Sequence, residues 1–79
     1  MYFVYILQCC DQSYYIGSTN DLIRRIHQHN FHKAGARYTK ARRPVVLQYH
    51  EEFATLSQAR KREVQLKKFT RTQKELLCK

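Results

Sequence analysis

Phenol, guanidinium and imidazole side chains that could act on a phosphate are concentrated in the first 29 residues of the chain. Tyr5 and Tyr15 each lie in a short apolar run, and Arg25 and His29 follow, four residues apart. Side chains four apart are neighbours on one side of a helix, so Arg25 and His29 are expected to project together. A guanidinium binds phosphate oxygens through two parallel hydrogen bonds, and phenol and imidazole groups can transfer protons. These residue types and spacings therefore indicate a phosphate-handling site.

The strands that must position these groups can be read from the apolar pattern. Residues 2–9 and 14–18 are rich in β-branched and aromatic residues, which predicts two strands joined by a short polar connector. A third strand is expected from Val45 to Tyr49, with an extension to Phe53 left open.

Three helices are predicted around these strands. The first is expected to start near Asn20, with Thr19 or Asn20 as its N-cap. The second opens on a Thr-x-x-Gln capping box at Thr55 and runs to about Phe69, and a short third helix restarts at Thr70. The apolar residues that the first and third helices are expected to bury are Leu22, Ile23, Ile26, Leu76 and Leu77.

The order β-β-α-β-α-α predicts an α+β fold, with a small three-stranded antiparallel sheet flanked by helices. Seventy-nine residues leave room for one hydrophobic core, so a single domain is expected over residues 1–79. The segment 31–44, with Gly35 and Pro44 as breakers, is expected to be irregular.

The composition is strongly basic. Fifteen Lys and Arg residues oppose six Asp and Glu residues, which gives a formal net charge of +9. The basic residues cluster and have aromatic residues among them, which favours polyanion binding over a merely soluble surface. The basic residues expected to contact nucleic acid are Arg24, Arg37, Lys40, Arg42, Arg43, Lys67 and Lys68.

The compartment is predicted from three features of the sequence. No apolar run approaches the roughly 20 residues of a membrane-spanning helix. The start of the chain lacks the basic region and cleavage site of a signal peptide. The three cysteines include no Cys-x-x-Cys pair and are expected to stay reduced. A cytoplasmic location without membrane association is therefore expected.

Glu63 stands out among the acidic residues. On a helical wheel of the second helix it falls on the same face as Leu56, Ala59 and Leu66. An ionised carboxylate on an apolar face is costly unless it is paired or binds a metal. Its position alone favours an ion pair with a neighbouring Lys or Arg. The competing interpretation is a ligand for a hard divalent cation such as Mg²⁺, which one or two carboxylates often hold.

The histidine spacing argues against zinc. His27, His29 and His32 scatter around a helix axis. Cys9 and Cys10 lie at the end of the first strand, and no paired Cys or His motif accompanies them. A zinc site is therefore not expected.

Several short motifs, in order and spacing, resemble the GIY-YIG nuclease family. Residues 3–5 match its first motif, with Phe3 in place of the glycine, and residues 15–17 match its second. The family arginine falls on Arg25, ten residues after the second tyrosine. The resemblance covers nearly the whole chain and is strongest to the small stand-alone, UPF0213-like members. Their pattern Tyr-Ile-Gly-x-Thr-x-Asp-Leu-x-x-Arg is met from Tyr15 onward.

This resemblance implies a metal-dependent endonuclease that acts on nucleic acid, with DNA favoured over RNA. Glu63 would hold one Mg²⁺ or Mn²⁺, Tyr5 would take a proton from the attacking water, and Tyr15 would orient the water or the phosphate. Arg25 would stabilise the phosphorane. His29 would bond Tyr5 and accept its proton, or contact phosphate.

Two other functions stay open. The alternative is a nucleic-acid-binding module that keeps the fold with weak or no catalysis, which the substitution at Phe3 keeps in play. A small interaction domain whose charge only aids solubility is the third. The oligomeric state is left open.

Overall fold

The computed structural model describes residues 1–31 and 36–78, which contain three strands and four helices. The strands are β1 (Tyr2–Gln8), β2 (Tyr14–Thr19) and β3 (Val46–Phe53), and the helices are α1 (Leu22–Phe31), α2 (Arg37–Lys40), α3 (Leu56–Lys67) and α4 (Arg71–Leu77). His32 and Gly35, which the predictions name, lie outside the described residues. Within the described ranges, no helix combines the length and apolar character needed to cross a membrane.

The strands form one antiparallel sheet in the order β2-β1-β3. In the β1–β2 pair, Tyr5 lies opposite Gly17, and Leu7 lies opposite Tyr15. The α+β architecture with a three-stranded antiparallel sheet is confirmed, and the third strand extends to Phe53. β2 is an edge strand, so one side of its backbone faces away from the sheet.

β1 is the middle strand and is buried on both faces of the sheet. Val4 and Ile6 pack towards α3, on what we call the α3 face. Tyr5 and Leu7 pack towards α1, on the α1 face. The helical residues of the two clusters are Ala59 and Leu66 from α3, and Leu22 and Ile26 from α1. Burial on both faces explains why β1 reads as a continuous apolar run rather than an alternating one.

α1 begins at a different cap from the predicted one. Asp21, rather than Thr19 or Asn20, accepts a hydrogen bond from the backbone N–H of Arg24 through Oδ1, at 3.1 Å. The Thr19 hydroxyl accepts from the backbone N–H of Asp21, also at 3.1 Å, and so shapes the turn before the helix. A carboxylate at this position also suits the positive end of the helix dipole.

α3 and α4 both begin at reciprocal capping boxes. Thr55 pairs with Gln58 at the start of α3, as predicted. Thr70 pairs with Gln73 at the start of α4, which explains why a second helix follows α3 after so short a break.

Two burial predictions are wrong, and one segment differs from its prediction. Ile23 is 84% exposed and Leu76 is 64% exposed. Their chain neighbours Leu22 and Leu77 pack against the core instead, because consecutive helical residues point about 100° apart. The segment predicted to be irregular contains the one-turn helix α2.

Candidate active site

Tyr5 is held at the centre of the site by its position on β1. Its side chain is 1% exposed and passes over Gly17 of the neighbouring strand. A Cβ at position 17 would lie 2.5 Å from Tyr5 Oη and 2.7 Å from Cζ. Only glycine leaves room for the phenol here, so the glycine of the second motif is explained by this close approach.

His29 meets Tyr5 from α1. The stripe predicted from the spacing of Arg25 and His29 turns inward, and His29 is fully buried. Its Nε2 lies 2.9 Å from Tyr5 Oη, and its Nδ1 lies 2.8 Å from Thr39 Oγ1. The Thr39 hydroxyl in turn donates to the carbonyl of Ala36, at 2.9 Å. A continuous hydrogen-bonded chain therefore links the Tyr5 phenol, the His29 imidazole and the N-terminus of α2.

Proton counting along this chain assigns the His29 tautomer. The Thr39 hydroxyl has one proton, which it donates to Ala36, so it accepts from an N–H at His29 Nδ1. Nε2 then carries the lone pair that accepts the Tyr5 proton. In the other tautomer both Nε2 and Tyr5 would present protons to each other, and the Tyr5 proton would have no acceptor among the hydrogen bonds of the described residues. Thr39 thus holds His29 in the form that can take a proton from Tyr5.

Burial shifts the pKa values of this pair in opposite directions. Burial raises the pKa of Tyr5 to about 12, against the opposing hydrogen bond and positive charge of Arg25. Burial, and after it the positive charges of Arg25 and Arg43, lowers the pKa of His29 to about 4. In the protein as described, Tyr5 is therefore a neutral phenol and His29 a neutral imidazole at pH 7.

Arg25 lies one helical turn before His29 and is half-buried. Its Nη1 donates to Gln28 Oε1 at 2.9 Å, and its guanidinium acts on Tyr5 through both a hydrogen bond and its charge. The backbone N–H of Arg25 donates to the Asp21 carbonyl at 3.0 Å, as an ordinary bond of the first turn of α1. The guanidinium is therefore directed towards the phenol, where a phosphate oxygen could share its donors.

Tyr15 forms the outer layer of this cluster. Its ring lies 5.1 Å from the His29 ring and stacks on Tyr38 at 6.0 Å, with 28° between the ring planes. Arg42 continues the row, with its guanidinium carbon 3.9 Å from the Tyr38 ring centroid. Tyr15 is partly exposed, whereas Tyr5 behind it is enclosed, so Tyr15 is the phenol nearer to solvent.

Glu63 lies on the other face of the sheet, on α3. Its Oε1 accepts a hydrogen bond from Ser18 Oγ at 2.7 Å, and its Oε2 pairs with Lys67 Nζ at 2.8 Å. Its side chain is 19% exposed, whereas that of Lys67 is 56% exposed. Burial would raise the pKa of the Glu63 carboxyl, but the hydrogen bonds from Lys67 and Ser18 and the charges of Lys67 and Arg60 outweigh it and lower that pKa.

The two halves of the site lie on opposite faces of the sheet, beside its edge strand β2. Tyr5, Tyr15, Arg25 and His29 form one cluster on the α1 face, while Glu63 lies on the α3 face. Tyr15 and Lys67, the ion-pair partner of Glu63, both line an open cleft of about 230 Å³ beside β2. Its lining residues are Tyr14, Tyr15, Ile16, Tyr38, Lys67 and Lys74. The negative charge of Glu63 is close enough to act on Tyr5, since it makes a small contribution to the raised pKa of that phenol.

The basic residues predicted to contact nucleic acid divide into two groups. Five are exposed, namely Arg24, Arg37, Lys40, Lys67 and Lys68. The other two make structural contacts. Arg43 donates through Nε to the His29 carbonyl at 2.6 Å. Arg42 pairs with Asp11 at 3.0 Å, but its guanidinium also covers Tyr38 at the cleft.

Sequence reasoning missed two residues of the site. Thr39 lies in the segment predicted to be irregular, and it is fully buried against His29. Ser18 adjoins the second motif, and its position on β2 turns it towards Glu63 on α3. Alternation along β2 could have placed Ser18 on the opposite face from Gly17. No local signal could have identified Thr39.

Comparison with known proteins identifies the family. A family model described as the GIY-YIG catalytic domain matches residues 1–76. The chain belongs to the GIY-YIG family. GIY-YIG membership indicates nuclease-type activity and binding of nucleic acid, and nucleases of this family typically depend on a divalent metal.

Within the GIY-YIG family, the chain is similar to proteins named UPF0213. A UPF0213 protein of Bacillus pumilus is 51% identical over 75 residues, covering 95% of this chain and 76% of the relative. One from Halobacterium salinarum is 44% identical over 77 residues, covering 98% and 99%. A solution NMR structure of a UPF0213 protein from Bacillus halodurans has a TM-score of 0.60 and 40% identity, covering 98% of this chain and 82% of that one. The expected resemblance is therefore confirmed down to the subgroup.

Proposed function

We propose that this chain is a metal-dependent endonuclease that hydrolyses phosphodiester bonds, with DNA as its favoured substrate, at the free edge of β2. The observation that carries the proposal is the enclosed chain from Tyr5 through His29 to Thr39, with the Arg25 guanidinium beside the phenol. A buried histidine held in this tautomer directs its lone pair at the tyrosine hydroxyl, which is the geometry that proton transfer requires.

The pKa values of the pair constrain how this acceptor can work. Burial raises the pKa of Tyr5 to about 12 and lowers that of His29 to about 4, so moving the proton from the resting phenol to the resting imidazole is strongly unfavourable. A free phenolate–imidazolium pair would therefore not accumulate. Tyr5 must give its proton to His29 Nε2 as it receives one from the attacking water. Tyr5 is thus the bridge of a relay, and His29 is its end.

The relay requires water to reach the Tyr5 oxygen. Because Tyr5 is 1% exposed, we infer that the Tyr15 ring, which lies beside Tyr5 over Gly17, shifts when a substrate enters the cleft. Tyr15 then contacts the water or the phosphate, which is the role expected from the sequence. Arg25 would donate to the phosphate oxygens as negative charge develops at phosphorus, in a bidentate geometry that lysine does not offer.

The side chains around Glu63 fit a divalent cation that needs only one carboxylate ligand from the protein. Among the described residues there is no group of three or more His, Cys, Asp or Glu side chains that could hold a metal ion. One carboxylate suits Mg²⁺ or Mn²⁺, which take their other ligands from water and phosphate. Ser18 donates to one Glu63 oxygen, and among the described residues the other oxygen pairs with the exposed Lys67, whose long side chain can move into solvent. Because the Lys67 side chain is 56% exposed, its ammonium can return to water when a cation takes its place beside Glu63.

A cation held by Glu63 would supply Lewis-acid polarisation of a phosphate oxygen and neutralise charge on the leaving side. Lys67, once released from Glu63, would be free to contact the substrate backbone. The residues on the α1 face would move the proton, and those on the α3 face would counter the charge. The scissile phosphate would therefore lie across the β2 edge.

The alternative is a nucleic-acid-binding module with weak or no catalysis. The closed state of the site favours it, since the Tyr5 hydroxyl is buried and Glu63 already has an ion-pair partner. Under this alternative the basic surface would still bind DNA in a salt-dependent manner, because Lys and Arg release counterions from the phosphate backbone.

Plasmid nicking in Mg²⁺ or Mn²⁺ separates the two functions. We expect the wild type to nick supercoiled DNA, and Glu63→Gln and Tyr5→Phe to lose about 10²-fold or more of that rate while still binding DNA. Glu51→Gln is the matched control, because Glu51 is also a half-buried, ion-paired carboxylate, and neither it nor its partner Arg62 is among the lining residues of the cleft.

Nicking by Glu63→Gln at the wild-type rate would remove the metal-binding assignment. Salt-dependent binding by a wild type that nicks no DNA with either metal would establish the binding module instead. Loss of activity in Glu51→Gln as well would attribute the effect to a loss of fold stability.

A further inference from the structure

The cleft along β2 has aromatic walls beyond the residues that the proposed chemistry uses. Tyr14 and Tyr38 line it together with Tyr15, and Tyr38 stacks on Tyr15. Tyr38 is 38% exposed although it is a large aromatic residue. Tyr38, with Tyr15 stacked on it and the Arg42 guanidinium over its ring, forms a wall of aromatic and guanidinium groups beside a candidate phosphate site, and a nucleobase can stack on such groups.

The charges around the cleft are those that a phosphate chain would meet. Lys67 and Lys74 line it, and no acidic side chain is among its described lining residues. Arg71 lies over the Tyr14 ring at 5.1 Å, and Arg42 lies over Tyr38. Cations alternating with aromatic rings favour an anionic ligand with a planar group over an extended peptide or an apolar molecule.

The cleft and the proposed chemistry share residues. Tyr15 lies in the cleft wall and against His29, and Lys67 lies in the cleft wall and against Glu63. A phosphate held between these two residues would place its attached nucleoside in the cleft.

We propose that the cleft binds one unpaired nucleotide next to the scissile phosphate, with its base against Tyr38 and Tyr14 and its flanking phosphate near Lys74. This inference rests on the proposed function and names its substrate class: single-stranded nucleic acid, or a duplex with a flap, gap or frayed end. A paired base has both faces covered by its stacked neighbours and cannot enter a cleft lined by rings, whereas an unpaired base presents its π face.

Fluorescence binding tests the inference without any cleavage. The probe is a short single-stranded oligonucleotide with a central 2-aminopurine, and the same strand annealed to its complement, both in EDTA. We expect wild-type protein to quench the single strand by stacking and to leave the duplex unquenched. Tyr38→Leu should weaken single-strand binding by about 5- to 150-fold, the usual range for one base–aromatic stack, and duplex binding much less.

Two variants serve as controls for the Tyr38→Leu result, and a third tests the contact with the flanking phosphate. Tyr38→Phe keeps the ring and should bind the single strand as the wild type does. Phe31→Leu removes an aromatic side chain that is 75% exposed and lies outside the cleft, and it should bind like the wild type. Lys74→Met should lower the log–log salt dependence of single-strand binding by about one unit.

The outcomes keep this inference apart from the proposed function. Equal quenching of the single strand and the duplex, or a Tyr38→Leu variant that binds the single strand like the wild type, overturns the unpaired-nucleotide site even if the protein cuts DNA. Ring-dependent single-strand binding by a protein that cuts nothing supports the site and removes only the nuclease proposal.

Discussion

The proton relay is tested most sharply at Thr39, whose hydroxyl holds His29 in the tautomer protonated at Nδ1. Thr39→Val keeps the shape of the side chain but removes the hydroxyl that accepts from His29 Nδ1. Both residues are fully buried, so the imidazole N–H would lose the acceptor it has among the described residues, in a place that water does not reach. An unsatisfied buried donor costs about 1–3 kcal/mol of unfolding free energy. The carbonyl of Ala36 still accepts from the backbone N–H of Lys40, so no second cost is expected.

The unfolding free energy alone does not test whether Thr39 controls the His29 tautomer. Thr39→Ser keeps the hydroxyl and loses one buried methyl group, which costs about 0.5–1.5 kcal/mol by analogy with Ile→Val. The two variants therefore overlap in urea denaturation. They differ in the tautomer of His29, since only the serine can accept from Nδ1. We expect Thr39→Ser to cleave close to the wild-type rate and Thr39→Val to lose about 10²-fold or more, the usual share of general-base catalysis.

Nitrogen NMR of ¹⁵N-labelled histidine is the assay that does not depend on activity. Wild type and Thr39→Ser should show His29 protonated at Nδ1, and Thr39→Val should show an increased fraction protonated at Nε2. A wild-type protein with the proton of His29 at Nε2 would refute the proton count. Equal cleavage rates in the serine and valine variants would refute the role of Thr39 as a positioning residue.

Two further outcomes follow from the same cluster. The pKa of His29 is about 4 in the folded protein and near 6.5 in the unfolded chain, so the unfolded chain takes up this proton at a higher pH. The unfolding free energy should therefore fall by up to about 3 kcal/mol as the pH drops from 6.5 to 4. Urea titrations of the wild type and His29→Gln should show this loss only in the wild type, and parallel pH profiles would contradict it. Gly17→Ala would force a Cβ to within 2.5 Å of Tyr5 Oη, so it should cost about 1–3 kcal/mol and displace the phenol from His29. Unchanged stability and nicking in Gly17→Ala would show that the strands yield without moving the phenol.

Much of the fold could be predicted because its signals are local. The Thr55 and Thr70 caps lie within four residues of the groups they bond. The apolar runs of β1 and β2 predict strands from their own residue types. Burial at helix surfaces was less predictable. Ile23 is as apolar as Leu22, but only the docking angle of α1 decides which of the two faces the sheet.

The candidate site divides along the same line. Sequence spacing alone determined that Arg25 and His29 project together and that Glu63 shares a helix face with Leu66, because helical periodicity is set by the backbone. The tertiary structure decided that Glu63 approaches β2 from the opposite face to Tyr5. It also decided that Thr39, ten residues beyond His29, sets the position of the histidine proton. Such contacts depend on how helices dock on a sheet, and the packing of distant side chains determines that docking.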